Sequence, residues 1–527
     1  MPFFSETQMN YRIKILPGEY WWGGSAYTKG CPFSVNDEYH ADFRVSVRTQ
    51  TAPFFVSSEG RFIYSTKPFA IDVNDGIIGI DGEDVDFGDG FSNLRGAYLA
   101  AQKKYFPCDG KKLERKFFRA PQFNSWIEFA YYPDEEGILR FAREIVAHGY
   151  TPGVFIIDEG WQCAYGKWDF DPARFPHPKE TVQTLHDLGF TVMLWVTPFV
   201  ACSGPDFVRS LRPLIGTDAE SAKHIFKRTE DGEVAIVRWW NGFSAILDMT
   251  SPWDEKFLDS QLSALTEKYG IDGFKFDGGS AEHYSDRLVI NGKFEKSHTP
   301  AECNRAWNEF GRRYAFHEYK DTFALCGRNC IQRLHDRCHR WEGHGIDDII
   351  PCAVVCGLIG HPFICPDMVG GGEWTNRYTP GFETDEELFV RMAQVSALFP
   401  MMQFSWAPWE ALSPENAALC LDAARLHLKF SDEIIKLVSD AEKSGEPIIR
   451  CLEYSFPHSG FAAVTDEYTV GENILVAPVV TKGTTQRTVF FPTGTWADEN
   501  GNIYAGPSSR TLPSPLDKLL YFRKIPD

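Results

Sequence analysis

Apolar and polar residues change rhythm twice along the chain. Up to about residue 118 the apolar runs are short, alternate with a period of two, and are split by Gly, Asp and Asn clusters. Examples are Phe43-Arg44-Val45-Ser46-Val47-Arg48, Arg61-Phe62-Ile63-Tyr64 and Ile77-Ile78-Gly79-Ile80. Several strands at that spacing predict an antiparallel β-sandwich. Trp21-Trp22-Gly23-Gly24 reads as a loop reaching toward the next domain, and the basic residues 111–119 as the connection to it.

From about residue 119 strands and helices alternate. An aromatic strand is expected at 124–132. A helix follows, with Ile138, Phe141, Ala142, Ile145 and Val146 at helical spacing and Gly149 as its stop. Further strands are expected at 154–157, 191–196, 322–326, 362–365 and 401–404. Helices are expected at 181–188, 301–319, 348–358, 386–398 and 415–437, and Ser251-Pro252 opens another as cap and first residue. Residues 200–245 are too long for a connection and read as a lid or small subdomain. Beyond about 440 alternating strands return at 447–454, 473–480 and 487–491. The predicted architecture is a (β/α)8 TIM barrel over 119–438, flanked by a β-sandwich over 1–118 and another over 439–527. A doubly wound open sheet would carry a glycine fingerprint after its first strand, and none is present.

The most informative stretch is Tyr269-Gly270-Ile271-Asp272-Gly273-Phe274-Lys275-Phe276-Asp277-Gly278-Gly279-Ser280. Gly270 suits the left-handed end of a helix. Phe274 and Phe276 then alternate with Lys275 and Asp277, the period of a strand. A carboxylate at the C-terminal tip of a buried parallel strand faces the active-site end of a barrel. Asp158, Asp336 and Asp367 stand at or just beyond other strand ends. Several carboxylates without metal-binding histidines fit acid–base and nucleophilic chemistry at an acetal carbon. Lys275 shares a face with Asp277; its ammonium would hold Asp277 ionised and bind sugar hydroxyls, or form a buried structural pair. Paired acids also suit Mg²⁺, but the abundance of Trp and the presence of Lys275 weigh against it.

Composition narrows the partners. The 15 Trp suit both cores and the C–H faces of sugar rings. A formal charge of -19 disfavours a nucleic-acid backbone or an anionic membrane. There is no apolar run of about 18 residues to span a membrane, and the N-terminus shows no secretory signal. The 13 cysteines, scattered among apolar residues, read as reduced thiols, so the expected location is cytoplasmic. Cys326/Cys330 and Cys352/Cys356 read as core thiols rather than metal ligands. No metal and no cofactor are expected, and a homo-oligomer is left open.

Motifs along residues 119–500 resemble glycoside hydrolase family 31, the retaining α-glycosidases. Tyr269 to Asp277 is similar to the family's nucleophile strand. Phe155-Ile156-Ile157-Asp158-Glu159-Gly160-Trp161 resembles its second strand, with Phe170-Asp171-Pro172-Ala173-Arg174-Phe175-Pro176 as the sequel. Leu247-Asp248-Met249-Thr250-Ser251-Pro252-Trp253 resembles a helix start of the family. Gly471-Glu472-Asn473-Ile474-Leu475-Val476-Ala477-Pro478-Val479 and Phe491-Pro492-Thr493-Gly494-Thr495-Trp496 resemble the sandwich after the barrel.

The resemblance implies Asp277 as nucleophile. It implies Asp336, in Leu334-His335-Asp336-Arg337 ahead of Trp341 and Ile350-Pro351, as general acid/base with a raised pKa; Asp347 or Asp348 is the fallback. Asp158, Trp161, Trp195, Lys275, Arg328, Asp367 and Trp406 are implied to bind the sugar of an oligosaccharide or α-glycoside. The glucosidase branch has Arg-Asn-His after its last strand, whereas this chain has Gln403-Phe404-Ser405-Trp406-Ala407-Pro408-Trp409. With Pro366-Asp367-Met368-Val369-Gly370-Gly371, that places the likeness nearest the α-galactosidase and myogenesis-regulating branch. The expected activity is exo-acting α-galactoside hydrolysis. An α-glucosidase, an α-xylosidase, a transglycosylase and a catalytically silent carbohydrate-binding protein are the alternatives.

Overall fold

A computed structural model describes residues 10–27, 31–45, 49–202 and 226–526. Eight parallel strands form its central ring: Gln122–Asn124 (β1), Val154–Ile157 (β2), Thr191–Val196 (β3), Gly273–Phe276 (β4), Phe316–Tyr319 (β5), Gln332–Arg333 (β6), a broken β7, and Gln403–Phe404 (β8). The first piece of β7, Ile364–Cys365, pairs with β6; the second, Met368–Val369, pairs with β8, which pairs with β1 and closes the ring. At the break Asp367 takes a φ of 104°, a conformation that costs a non-glycine residue about 1–3 kcal/mol. Its carboxylate accepts from the backbone N–H of Arg337 at 2.6 Å and of Gly372 at 2.9 Å, which holds the step in place.

Local chemistry explains the helices around the ring. Pro252–Tyr269 starts at Ser251, whose hydroxyl accepts from the Trp253 N–H, and stops at Gly270, delivering the chain to β4. Pro300–Gly311 starts with a reciprocal Thr299–Glu302 capping box. Leu258, Leu262 and Leu265 are buried on one face of the first of these. The close approach of β4 to β5 depends on Gly273: a Cβ there would lie 2.0 Å from the Phe316 carbonyl oxygen. Gly273→Val is therefore expected to cost about 1–3 kcal/mol by prising the two strands apart, seen as a lowered Tm; an unchanged Tm would show that the strands part without strain.

Several expected elements differ. The strand expected at 124–132 is only Gln122–Asn124, followed by the short helix Trp126–Phe129. The helix expected at 301–319 ends at Gly311, and its last residues form β5. The strand expected at 322–326 is the two-residue Thr322–Phe323, which leaves the ring and pairs, parallel, with Gln50 and Thr51. Trp21–Ser25 is a buried strand and not a loop, although it does pack against the barrel helix Ile349–Leu358. Phe43 to Val45 form a turn after the strand Tyr39–Asp42, and residues 46–48 lie outside the described ones.

The N-terminal region holds two antiparallel layers, Tyr11–Lys14/Ile77–Asp81/Ala70–Asn74/Tyr39–Asp42 and a sheet centred on Gln50–Ser57, with Phe33, Phe55, Phe69 and Ile71 in the core between them. The C-terminal region is one six-stranded antiparallel sheet rather than two. Its long hairpin, Gln486–Ala497 with Ile503–Pro513, shifts register between Phe491 and Gly494, and Val489, Phe491, Trp496 and Phe522 share one core. Between β3 and β4, the described part of the insertion is a three-stranded sheet, Phe199–Ala201, Ile236–Trp239 and Gly242–Ile246. Among the described residues no helix is long and apolar enough to cross a membrane. All 13 cysteines are free.

Candidate active site

Asp277 is the first residue beyond β4. Its N–H donates to the Val196 carbonyl at 2.9 Å, so it continues the ladder before the chain turns away. Gly278 and Gly279 make that turn with φ of 64° and 62°, and a Cβ on Gly279 would meet the Trp307 ring at 2.7 Å. The carboxylate accepts from Trp195 Nε1 at 3.0 Å, and Lys320 Nζ lies 3.5 Å from its other oxygen. Burial pushes this carboxyl up, but Lys320 and then Lys275 outweigh burial and hold it at about 2.

Asp336 lies three residues past β6. Its Oδ2 accepts from Lys320 Nζ at 3.0 Å and its Oδ1 from Arg333 Nη1 at 3.0 Å. Burial would raise this carboxyl too, but Lys320, Arg333 and Lys275 hold it well below the carboxylate range. The raised value expected from sequence is thus reversed: two cations sit on the group. Because Asp277 and Asp336 flank one ammonium, their facing oxygens are no further apart than its two contacts laid end to end. That admits the roughly 5–5.5 Å separation of the two acids in a retaining glycosidase.

A cavity of about 330 Å³ opens between them at the C-terminal end of the ring, lined also by Asp158, Glu159, Lys275, Trp126, Tyr131, Trp240 and Trp374. Such a volume lies at the small-molecule end of the usual range, roughly 300–1,000 Å³. Lys275 Nζ donates to Asp158 Oδ2 at 2.6 Å, with both side chains buried, so its direct partner is Asp158 and not Asp277. Glu159 accepts from the Tyr165 hydroxyl at 2.8 Å and from Asn241. Burial pushes it up to about 8 against the opposing pull of the Tyr165 hydroxyl.

A second cavity of about 520 Å³ adjoins the first, sharing Trp240, Lys320, Asp336 and Glu373 with it. The N-terminal region lends it Tyr27 and Thr49, the insertion Arg238 and Trp239, and the barrel Asp321 and His335. His335 is buried between Tyr27 and His344, and among the described residues neither ring nitrogen has a hydrogen-bond partner.

The structure therefore brings together Asp158, Lys275, Asp277 and Asp336, with Trp195 directly behind Asp277. Four residues expected to bind sugar lie elsewhere. Trp161 is buried beneath the site, donating to the Trp195 carbonyl at 2.8 Å. Asp367 is one layer back, ion-paired to Arg333. Trp406 is enclosed by Phe382, Phe389 and the Arg377 guanidinium. Arg328 is half exposed and pairs with Glu309 at 3.3 Å. Asp347 and Asp348 belong to the short turn before Ile349–Leu358 and line neither cavity.

Sequence reading missed Lys320 and Arg333. Lys320 directly follows β5, the strand absorbed into the preceding helix; Gly311 was the stop signal that would have freed that strand. Arg333 sits on a two-residue strand, too short for any periodicity. It is fully buried among Glu318 (3.6 Å), Asp336 and Asp367.

Comparison with known proteins agrees with this barrel. Residues 122–414 match the glycosyl hydrolases family 31 TIM-barrel domain, and residues 445–524 the C-terminal domain of the same family. The chain belongs to glycosyl hydrolase family 31. It is 30% identical over 430 residues to the myogenesis-regulating glycosidase of Mus musculus, covering 80% of this chain and 58% of that one. It is 25% identical over 421 residues to alpha-glucosidase 2 of Bacillus thermoamyloliquefaciens, covering 75% and 51%. The chain thus spans about half the length of the curated relatives it matches. In fold it is similar to a Flavobacterium johnsoniae family 31 dextranase solved with glucose, with a TM-score of 0.79 at 17% identity, over 97% of this chain and 66% of that one.

Proposed function

We propose that this chain is an exo-acting, retaining α-glycoside hydrolase that releases a terminal α-linked hexose, with α-galactosides the first substrates to test. One observation carries the reading: Asp277 and Asp336 face each other across a single ammonium at the edge of a sugar-sized cavity. Asp277, held ionised, attacks the anomeric carbon while Asp336 gives its proton to the departing oxygen. Water that has lost a proton to Asp336 then releases the glycosyl-aspartate, and the two inversions restore the starting configuration. The released sugar occupies the first cavity, where Asp158, Glu159, Lys275 and Arg333 supply hydroxyl partners. The leaving group occupies the second.

With Trp406 withdrawn from the cavity, the residue on which the α-galactoside expectation leaned does not touch the sugar. The choice among α-galactoside, α-glucoside and α-xyloside therefore falls to those four polar residues. A panel of nitrophenyl α-glycosides, with the product anomer followed by NMR, tests the reading. Cleavage with first release of the α-anomer is expected, and first release of the β-anomer would refute the double displacement. A carbohydrate-binding protein without turnover is the second reading, favoured by the ammonium standing between the two acids. Saturable sugar binding with no cleavage across the panel would establish it.

A further inference from the structure

Lys320 touches both of the acids between which the reacting bond of a substrate would have to lie. Its Nζ is 3.5 Å from Asp277 and 3.0 Å from Asp336. A glycosidic bond placed for attack and protonation lies about 3 Å from each carboxylate. The ammonium and the bond cannot share that space. Lys320 also borders the second cavity, and so does the next residue, Asp321. Asp321 is tied to the N-terminal region by the Thr49 N–H, which donates to its Oδ1 at 2.6 Å.

We propose that Lys320 is a displaceable lock: substrate entry moves its ammonium off Asp277 and Asp336 and toward Asp321 in the second cavity, and only then can Asp336 carry the proton it delivers. This rests on the roles given above to Asp277 and Asp336. The proton comes from solvent and passes to the glycosidic oxygen as the bonding pair leaves with that oxygen. One from the attacking water replaces it in the second step.

The neighbours single out Lys320 as the movable cation. Arg333 and Lys275 also face Asp336, together with the anions Asp277, Asp321 and Asp367, and His335. Arg333 is committed to Glu318 and Asp367, and Lys275 to Asp158. Among the described residues the ion pairs of Lys320 are those with the two reacting acids. Burial keeps Asp321 up at about 6 even with Lys320 near, so an approaching ammonium would be matched by its ionisation.

The test is the pH profile of kcat/KM for Lys320→Met and Asp321→Asn on a substrate with an alcohol leaving group and on its dinitrophenyl counterpart, which departs without a proton. Removing the ammonium should move the high-pH limb for the alcohol substrate upward by about one to three pH units. The dinitrophenyl substrate should show no such limb in either protein. Asp321→Asn keeps an oxygen for Thr49 but offers the ammonium no charge, and should lower kcat/KM for the alcohol substrate by about tenfold. An unmoved high-pH limb in Lys320→Met with a wild-type Tm would overturn the proposal, as would an unchanged kcat/KM in Asp321→Asn. Lys320→Gln serves if the Met variant fails to fold. Asp277→Ala separates the levels: if it stays active, the site reading itself is wrong; if it is inactive while the limb stays put, only the lock falls.

Discussion

Asp277→Ala is expected to lose about 10⁴-fold or more in kcat on every α-glycoside the protein cleaves, because it removes the carboxylate proposed to bond the anomeric carbon in the first step. The vacated volume lies between Trp195 Nε1 and Lys320 Nζ, a pair of donors suited to a small anion. Added azide should therefore restore part of the rate with an activated substrate and give a glycosyl azide of inverted configuration. Activity within tenfold of the wild type would end the double-displacement account. So would azide rescue with retained configuration.

The second large effect is on stability. Arg333→Met should lower stability by about 3–5 kcal/mol, the usual result of removing one partner from a buried ionic cluster. Glu318, Asp336 and Asp367 would lose their shared cation, and Glu318 and Asp367 are already pushed upward by burial. In the variant those two acids would have folded pKa values above their unfolded ones, so the folded state would hold more protons. Stability would then be regained as pH falls through the raised values toward the unfolded carboxylate value of about 4, so the Tm deficit should narrow over that descent. A deficit independent of pH would mean that lost packing, not stranded charge, is the cause.

The barrel was most legible where a helix stop was recognised ahead of a strand; the four-residue Phe316–Tyr319 was lost because the stop at Gly311 was not. Thr191–Val196 and Gly273–Phe276 each follow a helix end and a glycine, Gly189 and Gly270, and both stand as expected. Gln332–Arg333 is a two-residue segment with both residues buried, so no alternation survives to be read; of the broken β7 the first piece falls within the strand expected at 362–365, and the second, Met368–Val369, went unread. The acids at the mouth were visible because a charged residue after an apolar run is conspicuous. Of the cations only Lys275 was: Lys320 falls just past the helix expected at 301–319, and Arg333 on a strand of two residues. Trp406 shows the opposite error. A large aromatic beside a catalytic ring has two uses, and only the positions of Phe382, Phe389 and Arg377 reveal that this one is packing.

No helix follows β5 before β6 among the described residues; the chain there is spliced into the neighbouring sheet instead. Gln50 Nε2 donates to the carbonyls of Lys320 and Arg333, each at 2.8 Å, so one side-chain amide from that neighbouring strand ties the chain beyond β5 to β6. The outer region is thus a jig for the reaction chamber and not an appendage to it. On the proposed function, a substitution at Gln50 would therefore reach Lys320 and Arg333 from outside the ring, without replacing any side chain that lines the first cavity.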